Sequence, residues 1–167
     1  MAQKPIAKKI ANVSTVDATP SKRFFVDMLI RDIELKDSLL DLLDNCLDGA
    51  MRQVSVRKQK SDLPYEGYWA KIRFDKETFS IEDNCGGIPP EIARTSAFRL
   101  GRADAALDKD LPTVGVYGIG MKRAIFKMGR NAIVESSHAD GKFTLSIDRA
   151  WMEKDTDWKL PIAQGKA

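Results

Sequence analysis

The chain is poor in the residues that build disulfide, zinc or histidine-based sites. Its 167 residues include two cysteines and one histidine. Cys46 and Cys85 lack CxxC spacing, so the sequence offers neither a disulfide framework nor a zinc site. We expect both cysteines to be small, reduced side chains that pack near a functional site.

Long apolar runs and a strong net charge are also missing. No apolar run approaches the roughly 20 residues that span a bilayer, and the lysine-containing start lacks the apolar core of a secretory signal. We therefore expect a cytoplasmic protein with no membrane partner. The net charge of +3 is too small to argue for a nucleic-acid partner. A composition of 43% hydrophobic and 31% charged residues is that of one soluble globular domain.

The two ends of the chain differ from its middle. Residues 1–20 are polar and basic and contain two prolines, which predicts an extended arm before a domain at 21–167. The tail from Trp151 onward neither caps nor closes any element that the pattern predicts. We expect the domain to be truncated here and to continue beyond Ala167.

Helical patterns come first in the predicted domain. Ser21 is placed to cap a helix, and the next helix is predicted from Leu35 to about Met51. The apolar stripe of the first helix is expected to consist of Phe24, Met28 and Ile33.

Strand patterns follow the helices. The segments GYWAKIRFD and ETFSIEDN predict an antiparallel hairpin, and a second hairpin is predicted around the turn Asp140-Gly141. Between the hairpins, GMKRAIFKM predicts a helix that ends at Gly129. This order favours an α+β fold: a two-layer α/β sandwich with helices on one face of a mixed, largely antiparallel sheet.

The second predicted helix carries an acidic face. At about 100° per residue, one side presents five polar residues, namely Asp37, Asp41, Asp44, Asn45 and Asp48. A plain amphipathic helix with a solvated side explains the pattern equally simply. However, like charges four residues apart repel each other, and asparagine is unfavourable inside a helix. A magnesium ion bound by the Asn45 amide would answer both points, with Asp41 one turn earlier to polarise a water.

Two glycine-rich turns complete the set of motifs. In IEDNCGGIPPE, Asp83 ends a predicted strand and precedes Gly86-Gly87. This pattern suits an Asx-turn, but it also suits a buried acceptor for the exocyclic amine of adenine, beside a glycine backbone that the ring can approach.

The other turn, in GVYGIGMKRAI, places Gly115, Gly118 and Gly120 directly before a helix. A helix N-terminus binds anions through its free N–H groups, and Lys122 adds a charge for a phosphate. The Walker A pattern is absent from the chain, and GxGxxG is absent from this turn, so neither a P-loop nor a dinucleotide fold is supported.

Together the three motifs resemble those of the GHKL ATPases, which include the ninety-kilodalton heat-shock chaperones, MutL, type II topoisomerase ATPase subunits, MORC proteins and sensor histidine kinases. The resemblance implies the Bergerat fold and ATP bound with Mg²⁺. By the first family motif, Asn45 coordinates magnesium, Asp41 holds the general-base position, and Asp48 belongs to the nucleotide site. The hydrolytic branch usually has glutamate at the position of Asp41, so the acid is one methylene shorter here.

The same resemblance assigns the other two motifs. Asp83 becomes the adenine contact and Gly87 the last glycine of D-x-G-x-G, in which Cys85 replaces the first glycine. The glycines 115, 118 and 120, with Lys122, become the phosphate-binding end of a mobile lid at 88–117. The G-T-x-[IV] strand usual later in the family is not found.

The resemblance implies an ATP-dependent conformational switch in which the lid closes, two copies dimerise and slow hydrolysis resets the state. Further domains or protein partners would then lie beyond Ala167. A regulatory module that binds nucleotide without significant hydrolysis is the alternative. A sensor histidine kinase is a weaker one, because that branch has no acid at the position of Asp41 and the only histidine, His138, lies on a late strand.

Overall fold

The computed structural model describes residues 14–57, 62–100, 118–155 and 157–166. Within these ranges, the helices and strands in chain order are α1 (Lys22–Ile30), α2 (Leu35–Arg57), β1 (Ala70–Phe74), β2 (Phe79–Asp83), α3 (Pro90–Ile92), α4 (Gly120–Met128), β3 (Ala132–His138), β4 (Gly141–Ile147), α5 (Arg149–Glu153) and β5 (Ile162–Gly165). A π-helical turn at Ala93–Ala97 continues α3.

The first helix is capped as predicted but faces a different way. The Ser21 hydroxyl accepts from the Phe24 N–H at 3.3 Å. Phe24 and Met28 are exposed, whereas Lys22 and Val26 are buried. The predicted apolar stripe is therefore wrong for Phe24 and Met28. The reason is that α1 packs on the C-terminal segment through its Lys22 side.

The second helix extends six residues past its predicted end at Met51. Its buried positions are clustered in the second half and have small or polar side chains: Cys46, Asp48, Gly49 and Ala50, with Ser38 further back. Small side chains allow another segment to approach the helix backbone closely.

Both predicted hairpins are confirmed. Strands β1 and β2 pair antiparallel with Ile72 opposite Ile81. Strands β3 and β4 pair antiparallel down to His138 opposite Gly141. Strand β5 adds to the other side of β4, again antiparallel, so the described strands form a two-stranded and a three-stranded antiparallel sheet.

The C-terminal segment was expected to close nothing, and this expectation is wrong. The Asp148 carboxylate accepts from the Trp151 N–H at 2.8 Å and caps α5. Trp151 is buried and its Nε1 donates to the Lys159 carbonyl at 3.0 Å. The tail is therefore ordered by two indole side chains, Trp151 and Trp158, that meet edge-to-face.

The main core lies between the three-stranded sheet and the helices. Alternate residues of β4 point into it, namely Phe143, Leu145 and Ile147. Ile125 and Phe126 of α4 pack against them from the helix layer. This arrangement confirms the α+β fold class, with helices layered on one face of an antiparallel sheet. In the described part of the chain, no helix is both long and apolar enough to cross a membrane.

Candidate functional site

Two predicted site residues lie one turn apart in the middle of α2. The Asn45 side-chain amide donates from Nδ2 to the main-chain carbonyl of Asp41, four residues earlier. The Asn45 residue is exposed, whereas Asp41 is partly buried. Because the NH₂ group of Asn45 is engaged on its own helix, the side-chain oxygen is the atom that this amide can offer to a cation.

The Asp41 carboxylate is held by an arginine that the sequence reasoning missed. Arg123 in α4 donates from Nε to Asp41 Oδ2 at 2.6 Å and from Nη2 to Oδ1 at 2.9 Å. The hydrogen bond with Asp41 raises the pKa of Arg123, against the opposing effect of burial. From the sequence, a bound magnesium ion is one explanation for the acidic face. For Asp41, the structure supplies the guanidinium of Arg123 instead.

The strand-end acid Asp83 lies next to α2 at Cys46. Its Oδ1 accepts from the Cys85 N–H at 2.8 Å, which is the Asx-turn that the sequence also allowed. Its Oδ2 lies 3.5 Å from Cys46 Sγ, one residue along α2 from Asn45. The Asp83 residue as a whole is exposed, so its carboxylate is both fixed by the protein and open to a ligand.

Glycines allow the turn after β2 to pack closely on its neighbours. A Cβ at Gly49 of α2 would lie 2.7 Å from the Cys85 carbonyl oxygen. Gly87 has φ +68°, and a Cβ there would lie 2.3 Å from the Ser137 carbonyl oxygen on β3. Only glycine fits at either position without a shift of backbone. Asp48, next to Gly49 in the chain, is also buried.

The glycine turn before α4 approaches α2 on the side of Asp41. Gly118 has φ +64°, and Gly120 begins the helix. A Cβ at Gly120 would lie 3.1 Å from Asp41 Oδ1, so the glycine lets the first turn of α4 lie against the carboxylate. Gly115 lies outside the described residues, as does most of the predicted lid, from 101 to 117.

Residues of all three motifs thus lie at the middle of α2 or in contact with it. We refer to Asp41, Asn45, Asp83 and Gly120 as the α2 cluster. Lys122 points away from it: this lysine is buried and its ammonium donates to the main-chain carbonyls of Ala97, at 2.9 Å, and Gly118.

The two cysteines are free and buried, as expected from the sequence. Burial, followed by the nearby Asp83 carboxylate, raises the pKa of Cys46 to about 12. The same causes raise the pKa of Cys85. Both are therefore neutral thiols at physiological pH, and they contribute small side chains rather than nucleophiles to the site.

A cavity within the described residues lies away from the α2 cluster. It has a volume of about 510 Å³ and lies between the π-helical turn, α4 and the C-terminal segment. Its lining is mainly apolar, including Phe98, Phe126, Trp151 and Trp158. Of the predicted site residues that the structure describes, Lys122 alone lines it. The carboxylates and the amide of the predicted motifs lie in the α2 cluster and not in this cavity.

The residues present fit a magnesium ion that a nucleotide helps to bind. Across the described ranges, no group of three His, Cys, Asp or Glu side chains is arranged to hold a metal by itself. Magnesium in nucleotide sites commonly uses one or two protein oxygens and takes the rest from phosphates and water. One amide oxygen at Asn45 is compatible with that arrangement.

Comparison with known proteins agrees with these motifs. The family model described as "Histidine kinase-, DNA gyrase B-, and HSP90-like ATPase" matches residues 33–166. This range contains all three motifs and every strand in the part of the chain that the structure describes. A search of curated proteins found no match.

Proposed function

The chain belongs to the histidine kinase-, DNA gyrase B- and HSP90-like ATPase family, and on that premise we propose that it binds ATP with Mg²⁺ and hydrolyses it slowly at the α2 cluster. One observation carries the proposal. Asp83 and the glycine turn at Gly120 belong to distant segments, yet both contact α2, at Cys46 and Asp41 respectively. Family membership supports ATP binding in general, and this convergence supports the location.

The nucleotide end of the site is assigned to the turn after β2. In the proposal, Asp83 accepts a hydrogen bond from the exocyclic amine of adenine, and Gly87 lets the turn backbone beside it pack against β3. The Asx-turn fixes the carboxylate through Cys85, so no side-chain ordering is needed when the base arrives. Asp48 supports this wall from within α2, where it is buried.

The phosphate end is assigned to the start of α4. The main-chain N–H groups around Gly118 and Gly120 face phosphate oxygens at the helix N-terminus, with Gly115 earlier in the same segment. Asn45 offers its side-chain oxygen to Mg²⁺, which when bound neutralises phosphate charge. Lys122 joins the phosphates only if its ammonium leaves the carbonyls of Ala97 and Gly118.

Asp41 is proposed as the general base that orients and deprotonates water. The family's usual glutamate is longer, so turnover is expected to be slow. Closure of the lid at 88–117, dimerisation assisted by the arm at 1–20, and output to segments beyond Ala167 complete the proposed switch. Family resemblance, rather than geometry, supports these last steps.

A second candidate is a nucleotide-binding module without turnover. It is favoured by the Asp41–Arg123 ion pair, which engages both carboxylate oxygens of the proposed base. Binding and turnover are therefore tested separately.

Binding is tested by titrating the protein with ATP in a calorimeter, with and without Mg²⁺. The variant Asp83→Asn keeps the Asx-turn oxygen but loses the charge, so we expect the Kd to rise by about ten- to a hundredfold, because a hydrogen bond to a charged group contributes about 1.5–3 kcal/mol. The matched control is Asp75→Asn. Asp75 makes the same kind of turn at the other end of the hairpin, where it accepts hydrogen bonds from the N–H groups of Glu77 and Thr78. The Asp75→Asn variant should leave the Kd unchanged. Absence of heat with the native chain rejects the proposal.

Turnover is tested by steady-state release of phosphate from ATP. The variant Asp41→Asn should retain nucleotide binding and lose turnover by about a hundredfold or more, as expected for removal of a general base. If native and variant chains bind ATP equally and release phosphate at the same background rate, the binding module is the correct function.

A further inference from the structure

We propose that Arg123 is a positioning residue for hydrolysis: its guanidinium holds the Asp41 carboxylate against the first turn of α4, where a γ-phosphate would lie. The inference rests on the proposed ATPase function. It gives a role to a residue of the third motif segment that the sequence reasoning left unassigned, and it explains how an aspartate can serve where the family usually has glutamate.

The contact is a two-point one and is largely shielded from water. Both donors of one edge of the guanidinium meet both carboxylate oxygens, at 2.6 and 2.9 Å. The side chain of Asp41 is 15% exposed and that of Arg123 is 34% exposed. A bidentate pair fixes the orientation of a carboxylate as well as its position. Asp37, one turn before Asp41, adds further attraction for Arg123.

The same turn of α4 explains the short acid. Gly120 and Arg123 are three residues apart and both meet Asp41. With glycine at 120, the helix start can lie within contact distance of the carboxylate, and the arginine then holds it there. The carboxylate of the shorter acid thus still lies against the proposed phosphate-binding turn, because this turn packs closely on α2.

Pairing does not remove the acceptor capacity that a base needs. A carboxylate offers about four lone-pair positions, and the two N–H donors occupy two of them. A water next to the phosphate turn therefore still finds an acceptor on Asp41. The pair orients the acid without blocking it, in contrast to the binding-module alternative.

An arginine is required for this role, because lysine is a point charge. Lysine at 123 would keep the attraction but lose the planar two-point contact. Arg123→Lys therefore separates the effect of orientation from the effect of charge. An ion pair with only a structural role would not show this separation in kcat.

The experiment compares steady-state kcat and KM for ATP in the native chain, Arg123→Lys, Arg123→Gln and the control Arg130→Gln. Arg130 is an exposed residue just after α4, so its variant makes the same charge change outside the site. We expect kcat to fall about tenfold to a hundredfold in Arg123→Gln, since small misplacement of a catalytic group costs up to about a hundredfold. Arg123→Lys should be intermediate, and KM should stay within about twofold in both.

Two further variants test whether Arg123 acts through Asp41. In an Asp41→Asn background, Arg123→Gln should cause no additional loss of kcat, because the group that it positions is already gone. Asp41→Glu, which restores the family's usual length, should lower kcat. The extra methylene would move the carboxylate from the position that its contacts with Arg123 and Gly120 define.

Each failure has a distinct signature. A native chain that binds ATP without turnover overturns the hydrolysis proposal and this one together. Native turnover with unchanged or raised kcat in Arg123→Gln overturns this inference alone, as does an additive loss in the double variant. If Arg123→Gln does not fold, Arg123→Lys and Asp41→Glu supply the same comparison.

Discussion

Two packed clusters in this domain differ mainly in the size of their side chains. The main core joins large groups, with Phe143, Leu145, Ile147 and Trp151 buried around Ala93. The second cluster beneath Asp83 consists of Cys46, Ala50 and Cys85. Large side chains bury more apolar area and give more stability, whereas small ones let backbones approach. The proposed nucleotide site lies on the small cluster. There, the backbones approach each other closely and less apolar area is buried.

The main core also holds a buried cation. The ammonium of Lys22 is fully buried and donates to the carbonyls of Trp151 and Asp157, both at 2.6 Å. It also lies 3.9 Å from the centroid of the Trp151 ring. This contact attaches α1 to the C-terminal segment. The acid of the small cluster, Asp83, is by contrast exposed.

The largest expected effect comes from a substitution in the main core. Trp151→Ala removes a buried indole, its hydrogen bond to Lys159 and the ring beneath Lys22, so we expect a loss of about 3–5 kcal/mol in unfolding free energy. The control Phe24→Ala, on a helix residue that is 60% exposed, should cost less than about 1 kcal/mol. Urea unfolding measures both. A cost below about 1 kcal/mol for Trp151→Ala would contradict the assignment of this cluster as the main core.

The next prediction tests the small cluster. Gly49→Ala places a Cβ 2.7 Å from the Cys85 carbonyl oxygen, a backbone atom that cannot swing away. We expect a loss of about 1–3 kcal/mol from overpacking and weaker ATP binding, because the turn that fixes Asp83 must move. Calorimetry and urea unfolding report the two effects. The matched control is Gly165→Ala in β5, where a Cβ meets nothing within 4 Å. Unchanged ATP affinity in Gly49→Ala would separate the small cluster from the nucleotide site.

How much of this the sequence predicts depends on the range of the interactions. Both hairpins, the cap at Ser21 and the helix ending at Gly129 are set by neighbouring residues, and the pattern predicts them correctly. Strand β5 and helix α5 depend on burial of Trp151 and Trp158 in a core assembled from distant segments. Their polar flanks gave no periodic signal, so they were missed.

The candidate site shows the same limit. The motif positions 41, 45, 83 and 120 are readable from the sequence, and the structure places them around α2, while their roles stay predictions. Arg123 was missed because its partner is 82 residues away. A sequence signal did exist, since an acidic helix face without a lysine needs a cation from elsewhere. An arginine from a distant segment can meet that need as well as a metal ion can.

The smallest expected effect concerns the main core and the pH dependence of its stability. Burial lowers the pKa of Lys22, against the attraction of Asp157 and Asp155. Above the lowered folded pKa and up to the ordinary value of 10.5, the unfolded chain binds more protons than the folded one at this position. This residue therefore makes the unfolding free energy rise with pH in that window. We expect the native chain to gain stability relative to Lys22→Met as the pH approaches 10.5, measured by urea unfolding at each pH. Lys36→Met removes an exposed ammonium and should leave the pH dependence as in the native chain. A native-minus-Lys22→Met difference in unfolding free energy that stays constant with pH would contradict this prediction, because the attraction of Asp157 and Asp155 would then fully offset the burial of the ammonium.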